Sequence, residues 1–210
     1  MNHAEKNDFF ELLRIAFGVP AQEFNSAQWQ YLHSECLKQQ IAGIIYRGIC
    51  RLPCGKQPPK MLMFQWASEV EAIKGHNKLL NAEAARLTEL FMAQGRKTAV
   101  LKGPANARLY PDPYMRNAGD IDLWVDGGRD SVLELLKKMG YEISAEHLKV
   151  DHHVHLDGKS GIVVEIHYKP SSGNWNPFSN ARLMRYLEKE IQNVERVPEG
   201  FCVPIEDRKS

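Results

Sequence analysis

The stretch RNAGDIDLWVD, residues 116–126, decides how the chain folds. Ile121, Leu123, Trp124 and Val125 are strand formers, and the run is bounded by Gly119 and Asp126. Successive side chains on a strand point to opposite faces, so Asp120 and Asp122 share one face and Ile121 and Leu123 the other. Two carboxylates side by side repel each other and resist burial. Something positive must compensate them.

A second acid points to what that is. In IVVEIHY (162–168), Glu165 stands between Val164 and Ile166 and shares a face with Val163 and His167. Two or three carboxylates converging from neighbouring strands make a site for a hard divalent cation, which takes oxygen ligands. Upstream lies LKGPANARLY (101–110). Gly103 permits close backbone approach to a ligand, a following helix offers free N–H groups at its start, and Lys102 adds a positive charge. Strand, glycine turn, helix, then a strand with paired acids suits phosphate together with a metal.

The surrounding chain divides into a helical part and a mixed part. Over residues 1–95 the spacing predicts a helix capped by Asn7 or Asp8, carrying Phe9, Leu12, Leu13 and Phe17 and ended by Gly18 and Pro20. A second is capped by Ser26, and IAGIIYRGICRL (41–52) continues helical to the breaker PCGKQPP. A long helix then runs from about Pro59 to Met92 and stops at Gly95. After Gly95 the period changes. KTAVLK (97–102) and residues 119–125 read as strands, Asp130 or Ser131 starts a helix ending at Gly140, and YEIS (141–144) reads as a short strand. HVHLDGKSGIVVEIHY (153–168) is a hairpin around a DGKSG turn, and a last helix spans Ser179 to about Ile191. The expected fold class is α+β, a small mixed sheet flanked by helices, with residues 96–210 forming that domain after a helical N-terminal region.

Bulk properties exclude some classes. With 210 residues and a net charge of +1, no global field directs the chain to nucleic acid or a membrane surface. No apolar run reaches transmembrane length, and the N-terminal residues lack a signal-peptide pattern, so a cytoplasmic location is expected. Cys50 and Cys54 have no second Cys or His pair at zinc spacing, and Cys36 and Cys202 complete a set of free thiols.

Taken together, VLKGPANARLYPDPYMRNAGDIDLWVD (100–126) and VVEIHY (163–168) resemble the nucleotidyltransferase superfamily of the DNA polymerase beta type. Within it the chain is most similar to a bacterial group known as uncharacterised nucleotidyltransferase, family 5. The resemblance falls on Lys102 and Gly103, Tyr110 and Pro113, Arg116, Gly119 to Leu123, and Glu165 to His167. It implies the nucleotidyltransferase fold and transfer of a nucleoside monophosphate from a nucleoside triphosphate. Asp120 and Asp122 would hold two Mg²⁺ ions, Glu165 would help activate the acceptor, and Lys102, Gly103 and Arg116 would bind the triphosphate. Pro104 departs from the small hydroxyl or glycine of the wider superfamily. The group also continues through a further helical region, of which FCVPIEDRKS (201–210) reads as the start.

Other residues carry weaker signals. His153 and His155 share a strand face and His147 and His152 lie near them, so a transition-metal site is one reading, but without a Cys or a His-Glu-x-x-His pattern they are expected as polar residues on a hairpin's open face. His167, on Glu165's face, can orient a carboxylate or contact a substrate. Trp124 is expected in the core, and Tyr168 and Trp175 can stack on a base. Arg182, Arg185 and Lys189 recur at helical spacing, as a solvated face does. The acceptor stays open between a small molecule, a protein side chain and an RNA end. Two further classes fit the same motifs: a non-catalytic nucleotide- or partner-binding module of this fold, and the toxin of a toxin–antitoxin pair.

Overall fold

The computed structural model describes residues 3–20, 24, 28–144, 150–157, 161–173 and 176–205, with the backbone alone for 3–7 and 157. The chain forms two compact units, one of Met1–Lys78 with Ala107–Ala118 and one of Leu79–Asn106 with Gly119–Ser210.

The first unit is helical. It contains α1 (His3–Ala16), α2 (Trp29–Lys38), α3 (Ala42–Ile49) and the first part of α4 (Lys60–Met92). Leu12, Leu32, Cys36, Ile45, Ile49 and Trp66 are buried in one apolar cluster. Burial pushes the Cys36 thiol up to about 12. Trp66 is fully buried, and its indole N–H donates to the Ala42 carbonyl at 3.0 Å, so its polar atom is satisfied. Helices α1 and α3 pack through glycine. A Cβ on Gly48 would run into the Leu12 carbonyl, and one on Gly43 into the backbone of Met115. Arg51 donates to the Ile15 carbonyl at 2.8 Å, adding a second donor to an acceptor at the end of α1 that also takes the Gly18 N–H.

The second unit holds the sheet. Its elements are the remainder of α4, β1 (Thr98–Val100), the single turn α5 (Pro104–Ala107), β2 (Asp120–Val125), α6 (Gly128–Lys138), β3 (His153–Asp157), β4 (Val163–His167), α7 (Pro177–Glu190), β5 (Val194–Arg196) and β6 (Cys202–Pro204). Four strands form one sheet in the order β1-β2-β4-β3, and β5 pairs with β6. The β2–β4 pair is parallel, while β1 and β3 run antiparallel to their neighbours. The strands alternate strictly. Ile121, Leu123, Val125, Val154, Leu156, Val164 and Ile166 are buried on one face. Helices α4 and α6 contribute buried Leu87, Phe91, Val132 and Leu136, and Leu87, Leu90 and Met139 line a common cavity with Leu156 and Val164. The other face carries the polar residues.

This is the expected α+β class, with its small mixed sheet, long helix and β3–β4 hairpin. Several local expectations are corrected. Helix α1 begins at His3 with Asp8 inside it, because Ala4, Glu5 and Lys6 are themselves helix formers. The helical run before PCGKQPP does not continue from α2; Gln40 adopts φ +56° and breaks it. Helix α6 starts at Gly128, since Gly127 at φ +117° turns the chain there. Helix α7 starts at Pro177, where Asn176 Oδ1 accepts from the Phe178 and Ser179 N–H groups. Residues 141–144 make no strand and join neither sheet. Cys202–Pro204, within the stretch read as the start of a further helical region, is a strand paired with Val194–Arg196, and residues 206–210 lie outside the described residues. Ser26 and the centre of the DGKSG turn lie outside the described residues.

Glycines predict opposite outcomes within one helical framework. Gly48→Ala forces α1 away from α3 and is expected to cost about 1–3 kcal/mol. Gly75→Ala, on α4 where a Cβ meets open space, is expected to stabilise by up to about 1 kcal/mol. Thermal denaturation of the two variants checks both: Tm should fall for the first and hold or rise for the second.

Candidate functional site

The polar face of the sheet is set by strand register. In the parallel pair, Asp120 lies opposite Val163, Asp122 opposite Glu165 and Trp124 opposite His167. In the adjoining antiparallel pair, His153 lies opposite His167 and His155 opposite Glu165. Since paired residues share a face, Asp120, Asp122, Glu165, His167, His153 and His155 all project to the same side. Trp124 is on that side too, but it is buried with Ala99 and Ile191, with Leu101 and Val194 packed around them, and closes one end of the face as core.

Charge at this face is concentrated and partly buried. Asp122 is only 1% exposed and His167 only 4%. Lys102 Nζ donates to Asp122 Oδ1 at 3.0 Å, and His167 Nε2 lies 3.0 Å from the same oxygen. The same His167 nitrogen is 3.3 Å from Glu165 Oε2, so one imidazole edge joins the two acids. Burial works to raise the Asp122 pKa, but hydrogen bonds from His167 and Lys102 outweigh it and hold the carboxyl below its ordinary range. Asp120 moves the other way. Burial, and then the negative charges of Asp122 and Glu165, push it up. The hydrogen bond to Asp122 raises Lys102 in turn.

This pattern fits a cation. Asp120 binds its proton more firmly first because it is partly buried and then because Asp122 and Glu165 are close, and Lys102 only partly offsets this. Carboxylate oxygens from adjacent strands are the donor type that Mg²⁺ takes.

The turn before the site has a structural reason of its own. Gly103 has φ +51°, and a Cβ there would come within 2.6 Å of the Asp120 carbonyl oxygen. Glycine is therefore required by the approach of the chain to β2 and by its left-handed conformation. Leu101 N–H donates to the Asp122 carbonyl at 2.8 Å, which ties the segment before the turn to the acid-bearing strand. Pro104 occupies the first position of α5, where its missing N–H costs no hydrogen bond.

Lys102, Gly103, Asp120, Asp122, Glu165 and His167 thus all lie in the second unit; Lys102, Asp122, His167 and Glu165 are joined by the contacts above, and Gly103 lies against the Asp120 backbone. Arg116 belongs to the first unit, where its carbonyl accepts from Asn77 Nδ2 at 2.6 Å. The Tyr168 hydroxyl donates to the carbonyls of Val150 and His153, at 2.7 and 3.0 Å, which makes the ring part of the fold. Arg182, Arg185 and Lys189 are exposed, as a solvated face requires. His147 and Trp175 lie outside the described residues. Sequence reasoning undervalued His153 and His155. Their Nδ1 atoms are each 3.7 Å from Glu165, on Oε2 and Oε1 respectively. The signal was present in the His-x-His spacing opposite Glu-x-His across a hairpin, but only the register shows that the pairs meet.

Residues 25–206 match the family described as uncharacterised nucleotidyltransferase. The chain belongs to that family. The match spans all of β1 to β6 and so includes every acid and histidine of the polar face. Membership in a nucleotidyltransferase family supports nucleotidyl transfer as the class of function. No curated protein and no solved structure matches the chain. No helix among the described residues is long and apolar enough to cross a membrane.

The turn geometry yields a prediction. Gly103→Ala places a methyl group against the Asp120 carbonyl in an unfavourable backbone conformation, at an expected cost of about 1–3 kcal/mol. Denaturant unfolding should show the loss, and a variant as stable as wild type would mean that the turn is not held against β2.

Proposed function

We propose that this family member is a Mg²⁺-dependent enzyme that transfers a nucleoside monophosphate from a nucleoside triphosphate to an acceptor hydroxyl. The observation that carries the reading is the register that aligns Asp122 with Glu165 two residues along the face from Asp120. Asp120, Asp122 and Glu165 would hold the metal ions. Bound there, divalent ions supply positive charge to the oxygens that attack and leave in an in-line displacement at the α-phosphorus.

The chain's own residues account for the rest. Lys102, 63% exposed at its side chain, keeps an ammonium beside Asp122 and can pass from that carboxylate to a phosphate oxygen. Glu165 has one oxygen turned to His167 and can accept the acceptor's proton as its oxygen bonds to phosphorus and pyrophosphate departs. His167, through its contacts to both acids, keeps Asp122 and Glu165 in position; it is a positioning residue. The turn at Gly103 fixes Lys102 next to β2, so the triphosphate charge and the acids come together on one short segment of chain.

Binding of fluorescent nucleoside triphosphates, with Mg²⁺ and with chelator, tests the reading. Wild type is expected to bind in a Mg²⁺-dependent way, and Asp120→Asn with Asp122→Asn to lose that dependence. Lys102→Met should weaken nucleotide binding about tenfold, in line with losing one charge-assisted contact of about 1.5 kcal/mol. Wild type that binds no nucleotide in Mg²⁺, or a double variant that binds as wild type does, would sink the proposal. Transfer is then followed with an α-phosphate label offered to RNA, protein and small-molecule hydroxyls.

A further inference from the structure

Glu165 is surrounded by imidazoles, which a purely oxygen-ligated magnesium site does not require. His167 Nε2 lies 3.3 Å from Glu165 Oε2, and His153 Nδ1 lies 3.7 Å from the same oxygen. A nitrogen of His153, a nitrogen of His167 and a carboxylate oxygen of Glu165 all fall within 4.8 Å of one another. Ligand atoms around four-coordinate zinc stand about 3.3–3.5 Å apart, as tetrahedral bonds of about 2.0–2.2 Å dictate. The two histidine–glutamate separations already stand near that spacing.

Unsatisfied atoms at this place point the same way. His153 Nδ1 and His167 Nδ1 are both buried without a hydrogen-bond partner. The other nitrogen of His153, Nε2, lies 3.3 Å from His155 Nε2. When His153 donates its Nε2–H to His155, its Nδ1 carries a lone pair that faces a carboxylate oxygen. Two electron pairs then oppose each other across a gap suited to a cation. A ligating imidazole commonly gives its remaining N–H to a neighbour that holds it in orientation, and His155 is in place to receive it.

We propose that the β3–β4 end of the polar face is a site for one borderline divalent transition ion of the zinc class. His153, His167 and Glu165 are its ligands, and His155 orients His153. Imidazole nitrogen is a poor ligand for Mg²⁺ and a good one for zinc, cobalt and nickel, so the two ends of one face select different ions. Because Glu165 belongs to both donor sets, the site rests on the same sheet face as the proposed magnesium centre. It does not depend on nucleotide transfer.

The full chain, stripped with chelator, is titrated with Co²⁺ as an optical probe and with Zn²⁺ by calorimetry. Wild type is expected to take up one Co²⁺ with the intense visible bands of a four- or five-coordinate site, displaced by Zn²⁺ and not by Mg²⁺. His153→Gln should abolish those bands. His155→Gln should weaken Zn²⁺ binding about 10–100-fold, as loss of an orienting partner does. Asp120→Asn, aimed at the magnesium end alone, should keep them. X-ray absorption at the zinc edge of loaded wild type needs no variant to fold, and imidazole outer-shell scattering is expected there. An all-oxygen six-coordinate shell, bands that survive His153→Gln, or no uptake of either ion overturns the proposal. Failure of nucleotide binding beside intact Co²⁺ bands counts against nucleotidyl transfer and in favour of this site.

Discussion

Everything distinctive about this protein depends on the parallel pairing of β2 with β4. That pairing sets Asp122 opposite Glu165 and leaves His167 Nε2 within hydrogen-bonding reach of Asp122 Oδ1 and close to Glu165 Oε2. A slip of one residue would turn every side chain of the slipped strand to the opposite face and send Asp122 or Glu165 into the apolar side of the sheet. The register is protected against this by Ile121, Leu123, Val164 and Ile166, which are fully or almost fully buried on the other face. The hydrophobic side of the sheet therefore determines where the acids go.

A carboxylate as deeply buried as Asp122 is stable only when paired, because desolvation opposes its charge. Lys102 and His167 provide that pairing from two directions, one from the turn after β1 and one from the neighbouring strand. Asp120 receives less help, and its proton affinity is raised by its partial burial and then by the charges of Asp122 and Glu165. The same face thus has a satisfied acid and an under-compensated one side by side, an arrangement suited to exchange partners when a cation or a polyanion arrives. The histidines around Glu165 add a nitrogen-rich end to what would otherwise be an oxygen-only surface.

Much of this was legible residue by residue. The strand character of 119–125, the shared face of Asp120 and Asp122, the hairpin bearing Glu165 and His167, and the helix from about Pro59 to Met92 follow from local periodicity alone, and the structure has all of them. Misreadings arose where local propensity competes with something distant. YEIS has strand character yet joins neither sheet, and Cys202–Pro204 is a strand because Val194–Arg196 is there to pair with it. Gly103 could be read from the sequence either as a residue that lets a ligand approach or as a plain chain turn. The carbonyl it must clear belongs to Asp120, seventeen positions on in the chain, and no local pattern announces such a contact.

By itself the sequence determined the alternation of acids and apolar residues, the change from helical to strand period after Gly95, and the family motifs that lie on those acids. These are properties of neighbours in the chain, governed by the periods of helix and strand. Only the tertiary structure decided that β2 runs parallel to β4, that Lys102 and His167 both reach Asp122, and that His153 and His155 close around Glu165. Strand order and register are set by the burial of a whole sheet face at once. No single segment contains the information for that, because the residues that must be buried together come from four separate strands.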